Sequence, residues 1–317
     1  MVGRRLLAVP PVLALVSLGL FAAAAASPFD PLVGYLGDRY VTTSRADRDL
    51  LASRLGMDLP WYELYGRWVR GLFSGDLGIS RTYGQPVSQV LAERLPWTIL
   101  LVAVGMTAAV LLALAAGVWA GMRRGGPIDR LLAAACVAVQ GLPPFVLSLG
   151  AIGVFAVGLG WLPPAGATDA GVDPGLAQVA RHLILPAVVL ALSQLPWLLL
   201  AVRESVSDNR GEDFVAGAAA RGIDTATIVR RHILPTSLAP FVTILGVRLP
   251  EIVVGAVLVE EIFSWPGIAG AFVRSATDLD LPLLALLTIG ATGAVLLGSL
   301  LADIACAALD PRVRTDG

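Results

Sequence analysis

The sequence predicts an all-α polytopic membrane protein with about six transmembrane helices. Of its 317 residues, 56% are hydrophobic and only 15% are charged, whereas a soluble domain usually carries about a quarter charged residues. The apolar residues fall into long blocks, and a bilayer core of about 30 Å needs about 20 apolar residues in a helix. The blocks are too long and too unalternating to be strands of a membrane barrel. We therefore expect the chain to cross a membrane as helices.

Six apolar blocks are long enough to span a bilayer. They lie at about residues 6–26, 98–122, 131–158, 183–202, 234–262 and 281–302, the last extending as far as 308. The second and third blocks contain no charge, whereas Arg248, Pro250 and Glu251 interrupt the fifth. We therefore expect a break in the fifth span.

The first block has two interpretations. Arg4 and Arg5 precede it and an alanine run ends near Ser27, which is also the pattern of a cleavable signal peptide. The other interpretation is a retained first span. N-terminal sequencing of the purified protein distinguishes them, because a mature start near Ser27 removes one span.

The placement of arginine predicts that both termini are cytoplasmic. Arginines precede the first block, follow the sixth, and cluster between blocks two and three and between blocks four and five. The two remaining short connections carry one arginine each, Arg181 and Arg274. Because cytoplasmic loops carry an excess of basic residues, this asymmetry sets the orientation.

The segment 27–96 is the exception to this pattern. It contains eight arginines along with many acidic residues, but charges in long segments weigh little on topology. We expect it to form a small external domain, with short helices at about 45–55 and 61–72. Its aromatic residues fit either a core or a partner surface.

Composition excludes several kinds of function. All 23 basic residues are arginine, so the chain has no lysine for a phosphate-binding P-loop and cannot itself be a standard ATP-hydrolysing subunit. The net charge of −1 gives no global field that favours nucleic acid. Cys136 and Cys306 lie in apolar blocks and are expected to be free thiols. His182 and His232 share no metal-ligand spacing, which favours structural roles.

The connection between blocks four and five, at about 203–232, predicts a short helix–turn–helix on the membrane face. Glu212 and Asp213 suit a first helical turn, where the helix dipole favours anions. The small residues at 216–220 would let another protein approach closely, and Gly222 is a natural helix stop.

A second short helix is predicted to follow, from Asp224 as its N-cap to about His232. Leu234 and Pro235 are then expected to begin the fifth span. On the residues alone, an ordinary surface loop is an equally open alternative.

This connection resembles the EAA motif of ABC-importer permeases. The triplet Ala216-Gly217-Ala218, then Gly222 four residues later and Leu234-Pro235 twelve residues further, have the spacing of that motif. In that family the motif forms a coupling helix that docks into a groove of the ATP-binding subunit. Ala216 stands where the family usually has glutamate, and Gly217 where it has alanine. The resemblance implies that the coupling residues are Asp213, Phe214, Ala216, Gly217, Ala218, Arg221, Gly222, Leu234 and Pro235.

Further motifs along almost the whole chain are similar to the peptide and nickel branch of this family. In chain order they are Asp30-Pro31-Leu32, residues 75–80, Gln85-Pro86-Val87, and residues 93–96, 160–163, 183–186, 263–267 and 309–312. Each motif is weak alone, but the ordered set is specific. The likeness is strongest to the first permease of dipeptide and oligopeptide importers, which keeps a first span and an external domain. This favours retention of the first block.

The resemblance implies a type I ABC importer permease fold in a bacterial inner membrane. Residues 1–26 would form the first transmembrane helix and 27–96 the external domain. Residues 97–308 would form a five-helix core containing the coupling segment 207–235, followed by a cytoplasmic tail at 309–317. The implied partners are a second homologous permease, two ATP-binding subunits, an extracytoplasmic substrate-binding protein and the bilayer. ATP and Mg²⁺ would belong to the ATP-binding subunits, with no cofactor in this chain.

Arg248 and Glu251 lie three residues apart on one face of the fifth span, where an unpaired charge is costly. They could form a structural pair at the kink, line the transport pathway, or pair with the partner permease. Glu260, at the outer end of this span, fits either anchoring or a contact with the binding protein.

Two other functions are compatible with parts of the sequence. A secondary transporter would have repeated halves, and none is convincing here. An intramembrane enzyme would need a catalytic dyad or paired acids within its spans, and we find none. Among importers, peptides, nickel complexes and other small ligands all remain open as cargo.

Overall fold

A computed structural model describes residues 2–27, 31–37, 39–54, 59–169, 171–172 and 175–309. Most of the predicted tail at 309–317 lies outside these residues, as do Asp30 of the first motif and Asp310 to Arg312 of the last.

The described chain is almost entirely helical. The helices are α1 (Val2–Ala25), α2 (Pro31–Leu36), α3 (Arg39–Thr42), α4 (Arg45–Arg54), α5 (Trp61–Ser74), α6 (Val87–Met122), α7 (Pro127–Gln140), α8 (Pro144–Ala151), α9 (Leu176–Arg210), α10 (Asp213–Ala220), α11 (Thr225–Ile228), α12 (Leu234–Val247), α13 (Leu249–Ile262), α14 (Ile268–Thr277) and α15 (Leu281–Leu309). Two π-helical segments, Ile152–Gly158 and Val229–Ile233, follow α8 and α11. Strands β1 (Ile79–Ser80) and β2 (Gln85–Pro86) form a small antiparallel hairpin.

Within the described residues, four helices have the length and apolar composition needed to cross a membrane: α1, α6, α9 and α15. Two bent helix pairs raise the total to six if each pair is one span. These pairs are Pro127–Gln140 with Pro144–Gly158, and Thr225–Val247 with Leu249–Ile262. The expected all-α polytopic class is confirmed, and α4 and α5 confirm the two short helices predicted before α6.

The third span is not the single continuous helix that the sequence suggested. The chain turns by 104° between α7 and α8. Pro143 has φ −59° and ψ 148°, because the ring of Pro144 disfavours helical geometry in the residue before it. An uncharged apolar run therefore contains a sharp break made by two consecutive prolines.

The fifth span breaks where its charges predicted. Arg248 separates α12 from α13, which are bent by 55°. Helix α12 begins at Leu234, as the sequence predicted, and the helical segments before it continue back to Thr225. Pro235 is tolerated within this helix because a π-helical turn, Val229–Ile233, comes directly before α12 and changes the local hydrogen bonding.

The chain forms two compact units. The core unit contains Ile99–Trp265 with Met1–Val2 and Val295–Gly317, and the hairpin unit contains Gly3–Thr98 with Pro266–Ala294. The segment at 27–96 belongs to the hairpin unit.

In the core unit, α9 packs against α7, α8, α12 and α13. Its hydrophobic cluster, here called the core cluster, contains Val202 and Val206 of α9, Cys136 of α7 and Phe241 of α12. Helix α6 passes close to α9 at Gly117, where an added Cβ would lie 2.8 Å from the Cβ of Val202. Small residues permit such close helix approach in membranes, where packing drives association.

In the hairpin unit, the β-hairpin packs against the connection between α14 and α15. The hydroxyl of Ser80 donates to the carboxylate of Asp280 at 2.5 Å, and the backbone N–H of Thr82 donates to the same oxygen at 3.1 Å. In the same unit, the ring of Phe21 in α1 lies 5.4 Å from that of Tyr65 and 5.6 Å from that of Trp68. Part of the aromatic set in 27–96 therefore packs against α1.

Candidate coupling segment and membrane cavity

The predicted coupling helix is present as α10. Its N-cap, Glu212, has extended backbone angles. Gly222 ends it with φ +77°, a left-handed conformation that glycine adopts without a steric penalty. The N–H groups of Gly222 and Ile223 donate to the carbonyls of Ala219 and Ala218, and Arg221 Nε donates to the carbonyl of Gly217 at 3.0 Å. The helix end is therefore rigidly closed.

Helix α10 has two different faces. Ala218 is only 1% exposed and belongs to the core cluster, whereas Ala216 and Gly217 are exposed. Asp213, Arg221 and Gly222 are also exposed, and the ring of Phe214 is 40% exposed. One face thus packs on the membrane helices, and the other is a surface of very small side chains with one aromatic ring.

The segment after α10 returns to the same cluster. Asp224 caps α11 by accepting the N–H of Thr227 at 2.9 Å. Hydrogen bonds from the side chain and the backbone N–H of Thr227 lower the pKa of the Asp224 carboxyl. Ile228 and Ile233 are buried in the core cluster. Leu234 is half-buried and Pro235 is exposed. The helix–turn–helix predicted from the sequence is therefore a packed structure, and the alternative of an ordinary surface loop is wrong.

Polar contacts tie the C-terminal part of α9, which leads into α10, to three other helices. Arg210 donates to the carbonyl of Met122 at the end of α6, at 2.7 Å. The amide of Asn209 donates to the hydroxyl of Ser237 in α12, at 3.1 Å. In α9, Arg203 donates to the carboxylate of Asp129 in α7, at 2.5 and 2.9 Å. The end of α9 that leads into α10 is therefore bonded to α6, α12 and α7.

Sequence reasoning missed this set of contacts. Asp129 and Arg203 are 74 residues apart, so no local spacing relates them. The available signal was Asp129 itself, an acidic residue two positions before the uncharged third block. Because that block was interpreted as one continuous span from about residue 131, Asp129 was placed in the loop before it. Asp129 is in fact almost wholly buried, and its carboxylate also accepts the N–H of Gly125 at 2.8 Å.

A cavity of about 450 Å³ lies between the two helix breaks. Its lining comes from the α7–α8 turn, from α9 and from the start of α13: Val139, Gln140, Gly141, Leu142, Pro143, Pro144, Ser193, Gln194, Trp197, Arg248, Pro250, Glu251, Val254, Gly255 and Leu258. Non-helical backbone at membrane depth is tolerated where it is buried in protein or lines a water-filled cavity. Both breaks are therefore tolerated for the same reason, which is that their non-helical backbone lines this cavity.

The charged pair predicted in the fifth span lines this cavity. Arg248 Nη1 contacts Glu251 Oε2, and the guanidinium carbon of Arg248 lies 4.3 Å from the ring centre of Trp197. The Arg248 side chain is 17% exposed and that of Glu251 is 55% exposed. The ion pair and the cation–π contact together stabilise a cation beside an apolar helix.

Glu260 has different surroundings. Its side chain is 1% exposed, and its carbonyl accepts the N–H of Trp265 at 2.8 Å. Trp265 is itself buried. This end of the fifth span is packed protein, and Glu260 does not belong to the cavity.

The remaining sequence-predicted groups have structural surroundings. The thiols of Cys136 and Cys306 are free, as expected. His182 is buried, with Nδ1 3.1 Å from the carbonyl oxygens of Ala165 and Gly166. Across the described ranges, His, Cys, Asp and Glu side chains form no group of three that could hold a metal ion.

Comparison with known proteins adds to this geometry. Residues 109–315 match the family described as binding-protein-dependent transport system inner membrane component. The matched range contains the coupling segment and every residue that lines the cavity.

Three curated relatives are similar over nearly their whole length. The oligopeptide transport system permease protein AppB of Bacillus subtilis is 32% identical, with 98% of each chain covered. The oligopeptide transport system permease protein OppB of Mycobacterium tuberculosis is 34% identical, also with 98% of each chain covered. The glutathione transport system permease protein GsiC of Escherichia coli is 30% identical, with 98% of this chain and 97% of the relative covered.

Proposed function

Because this chain belongs to the family of binding-protein-dependent transport system inner membrane components, we propose that it forms half of a peptide pathway whose opening is driven through α10. The chain is a transmembrane permease subunit of an ABC importer, a class that works with an ATPase and a binding protein. A second homologous permease completes the pathway, and two ATP-binding subunits drive it. Membership of this family argues against the alternative that the chain is a secondary transporter.

Peptides are the proposed cargo. The support is that two of the three relatives are named as permeases of oligopeptide transport systems and the third as a permease of a glutathione transport system. The cavity provides what such a cargo requires, because it combines a cation, an anion and the neutral polar side chains of Ser193 and Gln194.

The two faces of α10 carry the coupling proposal. An ATP-binding subunit docks on the exposed face at Ala216 and Gly217, where side chains are small enough for close contact. Phe214 adds apolar area at the edge of this face. The buried face transmits the movement, because Ala218 packs in the same cluster as Val206 of α9. Close packing makes such a contact rigid.

The contacts of Arg210, Asn209 and Arg203 extend this transmission. They link the part of α9 that leads into α10 to α6, α12 and α7, so the ends of these helices move as one body. Both bent spans include one of these helices, α7 or α12. A displacement of α10 is therefore transmitted to the two helix breaks that border the cavity.

The remaining assignments follow from this arrangement. Docking of ATP-binding subunits on α10 requires that α10 and both termini are cytoplasmic, in a bacterial inner membrane. ATP and Mg²⁺ are bound and hydrolysed in the partner subunits, and this chain contributes no catalytic group. The segment 27–96 is then external, on the side from which the binding protein delivers cargo.

A matched pair of substitutions on exposed positions tests the docking face. Gly217→Leu places a bulky side chain on that face, where an added Cβ meets no atom within 4 Å. Ala226→Leu is the control, because Ala226 is exposed on the neighbouring α11. In proteoliposomes containing the whole complex, we expect Gly217→Leu to lower ATP-driven peptide uptake at least about tenfold and Ala226→Leu to leave it near the native rate.

Two further measurements, the unfolding temperature and co-purification with the ATP-binding subunits, show whether lost uptake comes from lost docking. The Gly217→Leu permease should keep its native unfolding temperature while losing co-purification with the ATP-binding subunits. Native uptake and native co-purification in the Gly217→Leu complex would overturn the proposed docking face.

A further inference from the structure

The cavity between the two helix breaks has the composition of a binding site. Its volume of about 450 Å³ falls in the range of small-molecule sites, about 300–1,000 Å³. Most of its lining is apolar, with a few polar groups at defined places. Ser193, Gln194 and Gln140 offer neutral hydrogen-bonding groups, and Arg248 and Glu251 offer opposite charges.

The bonding of Arg248 leaves capacity for a ligand. Its Nη1 contacts Glu251 and its guanidinium carbon lies 4.3 Å from the ring centre of Trp197, but its buried Nε has no hydrogen-bond partner among the described residues. A guanidinium has five N–H donors arranged to meet a carboxylate with two parallel hydrogen bonds. An arginine whose donors are only partly used, beside a cavity, suits a carboxylate ligand.

The exposure of the pair argues against a purely structural role. A structural ion pair within a span is best shielded on both sides, whereas the Glu251 side chain is 55% exposed and lines the cavity. Both charges are therefore available to a ligand in the same space. They lie on one helical turn at the break between α12 and α13.

We propose that this cavity is a site for the two charged ends of a short peptide, which displaces the contact between Arg248 and Glu251 so that Arg248 binds the terminal carboxylate and Glu251 the terminal ammonium. The inference rests on the proposed peptide cargo. Gln194 and Ser193 of the same lining offer hydrogen-bonding groups for the peptide bonds between the ends, and the Trp197 ring contacts the guanidinium of Arg248. The permease then discriminates among peptides itself, after the binding protein has released them.

Blocked peptides give a sharp test in the complete importer. Uptake of trialanine, trialanine amide and N-acetyl-trialanine is measured in proteoliposomes with the binding protein at saturation. Each variant is compared with the native complex as a ratio of uptake rates between peptides. The selectivity of the binding protein is the same in every case, so a changed ratio reports the permease.

Arg248→Gln should lose the preference for a free terminal carboxylate, and Glu251→Gln should lose the preference for a free terminal ammonium. Arg248→Gln should lower uptake of trialanine about tenfold more than uptake of trialanine amide, because the amide has no carboxylate to lose. Glu251→Gln should lower uptake of trialanine about tenfold more than uptake of N-acetyl-trialanine. Arg248→Lys keeps the charge and should keep the preference for the free carboxylate.

Ratios that stay within about twofold of native in both variants would overturn the site, as would equal losses for all three peptides. Stimulation of ATP hydrolysis by the trialanine-loaded binding protein separates this failure from failure of the proposed function. Unchanged ratios with normal stimulation reject the site alone. A native complex that shows no stimulation rejects the proposed peptide importer and this site with it.

Discussion

Arg203 of α9 donates two hydrogen bonds to the carboxylate of Asp129 in α7, from Nε at 2.5 Å and from Nη2 at 2.9 Å. The Asp129 side chain is almost wholly buried and that of Arg203 is 17% exposed. This pair joins a helix that ends at the coupling segment to one that ends at the cavity. Its loss should therefore affect stability first and transport as a consequence.

Asp129→Ala should destabilise the permease by about 3 kcal/mol, because removing one partner of a buried pair leaves an uncompensated charge. Glu204→Ala is the control. Glu204 also lies near Arg203, at 3.6 Å, but its side chain is half exposed, so its loss should cost less than about 1 kcal/mol. Denaturant unfolding of the detergent-solubilised permease measures both values. Equal destabilisation by the two variants would contradict the structural role of the pair.

Ala218→Leu should destabilise the permease by about 1–3 kcal/mol, because it forces extra methylenes into the filled core cluster. The matched substitution Ala219→Leu lies one residue further along the same helix on an exposed position and should be close to neutral. Thermal unfolding of the permease without ATP-binding subunits gives the comparison. If Ala219→Leu were the more damaging change, the faces of α10 would be assigned the wrong way round.

Gly117→Ala should destabilise the packing of α6 on α9. The added Cβ would lie 2.8 Å from the Cβ of Val202 and 3.0 Å from the carbonyl oxygen of Leu199, which requires the helices to separate. Gly150→Ala in α8 is the control, because a Cβ there meets no atom within 4 Å. The control should gain about 0.5–1 kcal/mol, since alanine favours helix over glycine. Chemical unfolding that shows the same sign for both variants would refute the close approach.

The stability contribution of Asp224 should depend on pH. Its N-cap hydrogen bond lowers the pKa of the carboxyl in the folded protein. The contribution is therefore complete above the unfolded pKa of about 3.9 and is lost as pH falls through the lower folded value. Asp224→Asn keeps an N-cap acceptor but does not titrate.

The difference in unfolding temperature between native and Asp224→Asn permease should therefore be constant from pH 7 to about pH 5. Towards pH 3, the unfolding temperature of the native permease should fall relative to that of the Asp224→Asn permease. A difference that does not change over the whole range would show that the cap does not titrate with folding.

The sequence by itself determined the features that depend on local spacing. Long apolar blocks predict membrane helices because every backbone polar group must be satisfied within the bilayer. Arg248 and Glu251 were placed on one helical face because residues three apart share it, and Gly222 was expected to end α10 because glycine tolerates a left-handed backbone. The spacing of the EAA motif predicted a coupling segment at 207–235 before any contact was known.

Only the tertiary structure decided which distant residues meet. Asp129 and Arg203 pair across 74 positions, and no periodicity carries that information. The break at Pro143 lies inside an uncharged run, so hydrophobicity alone could not distinguish one span from two half-helices. The cavity exists because this break and the one at Arg248 border the same space. Packing brings together residues that are distant in sequence. It is therefore packing that makes the charged pair at the break between α12 and α13 part of a candidate binding site.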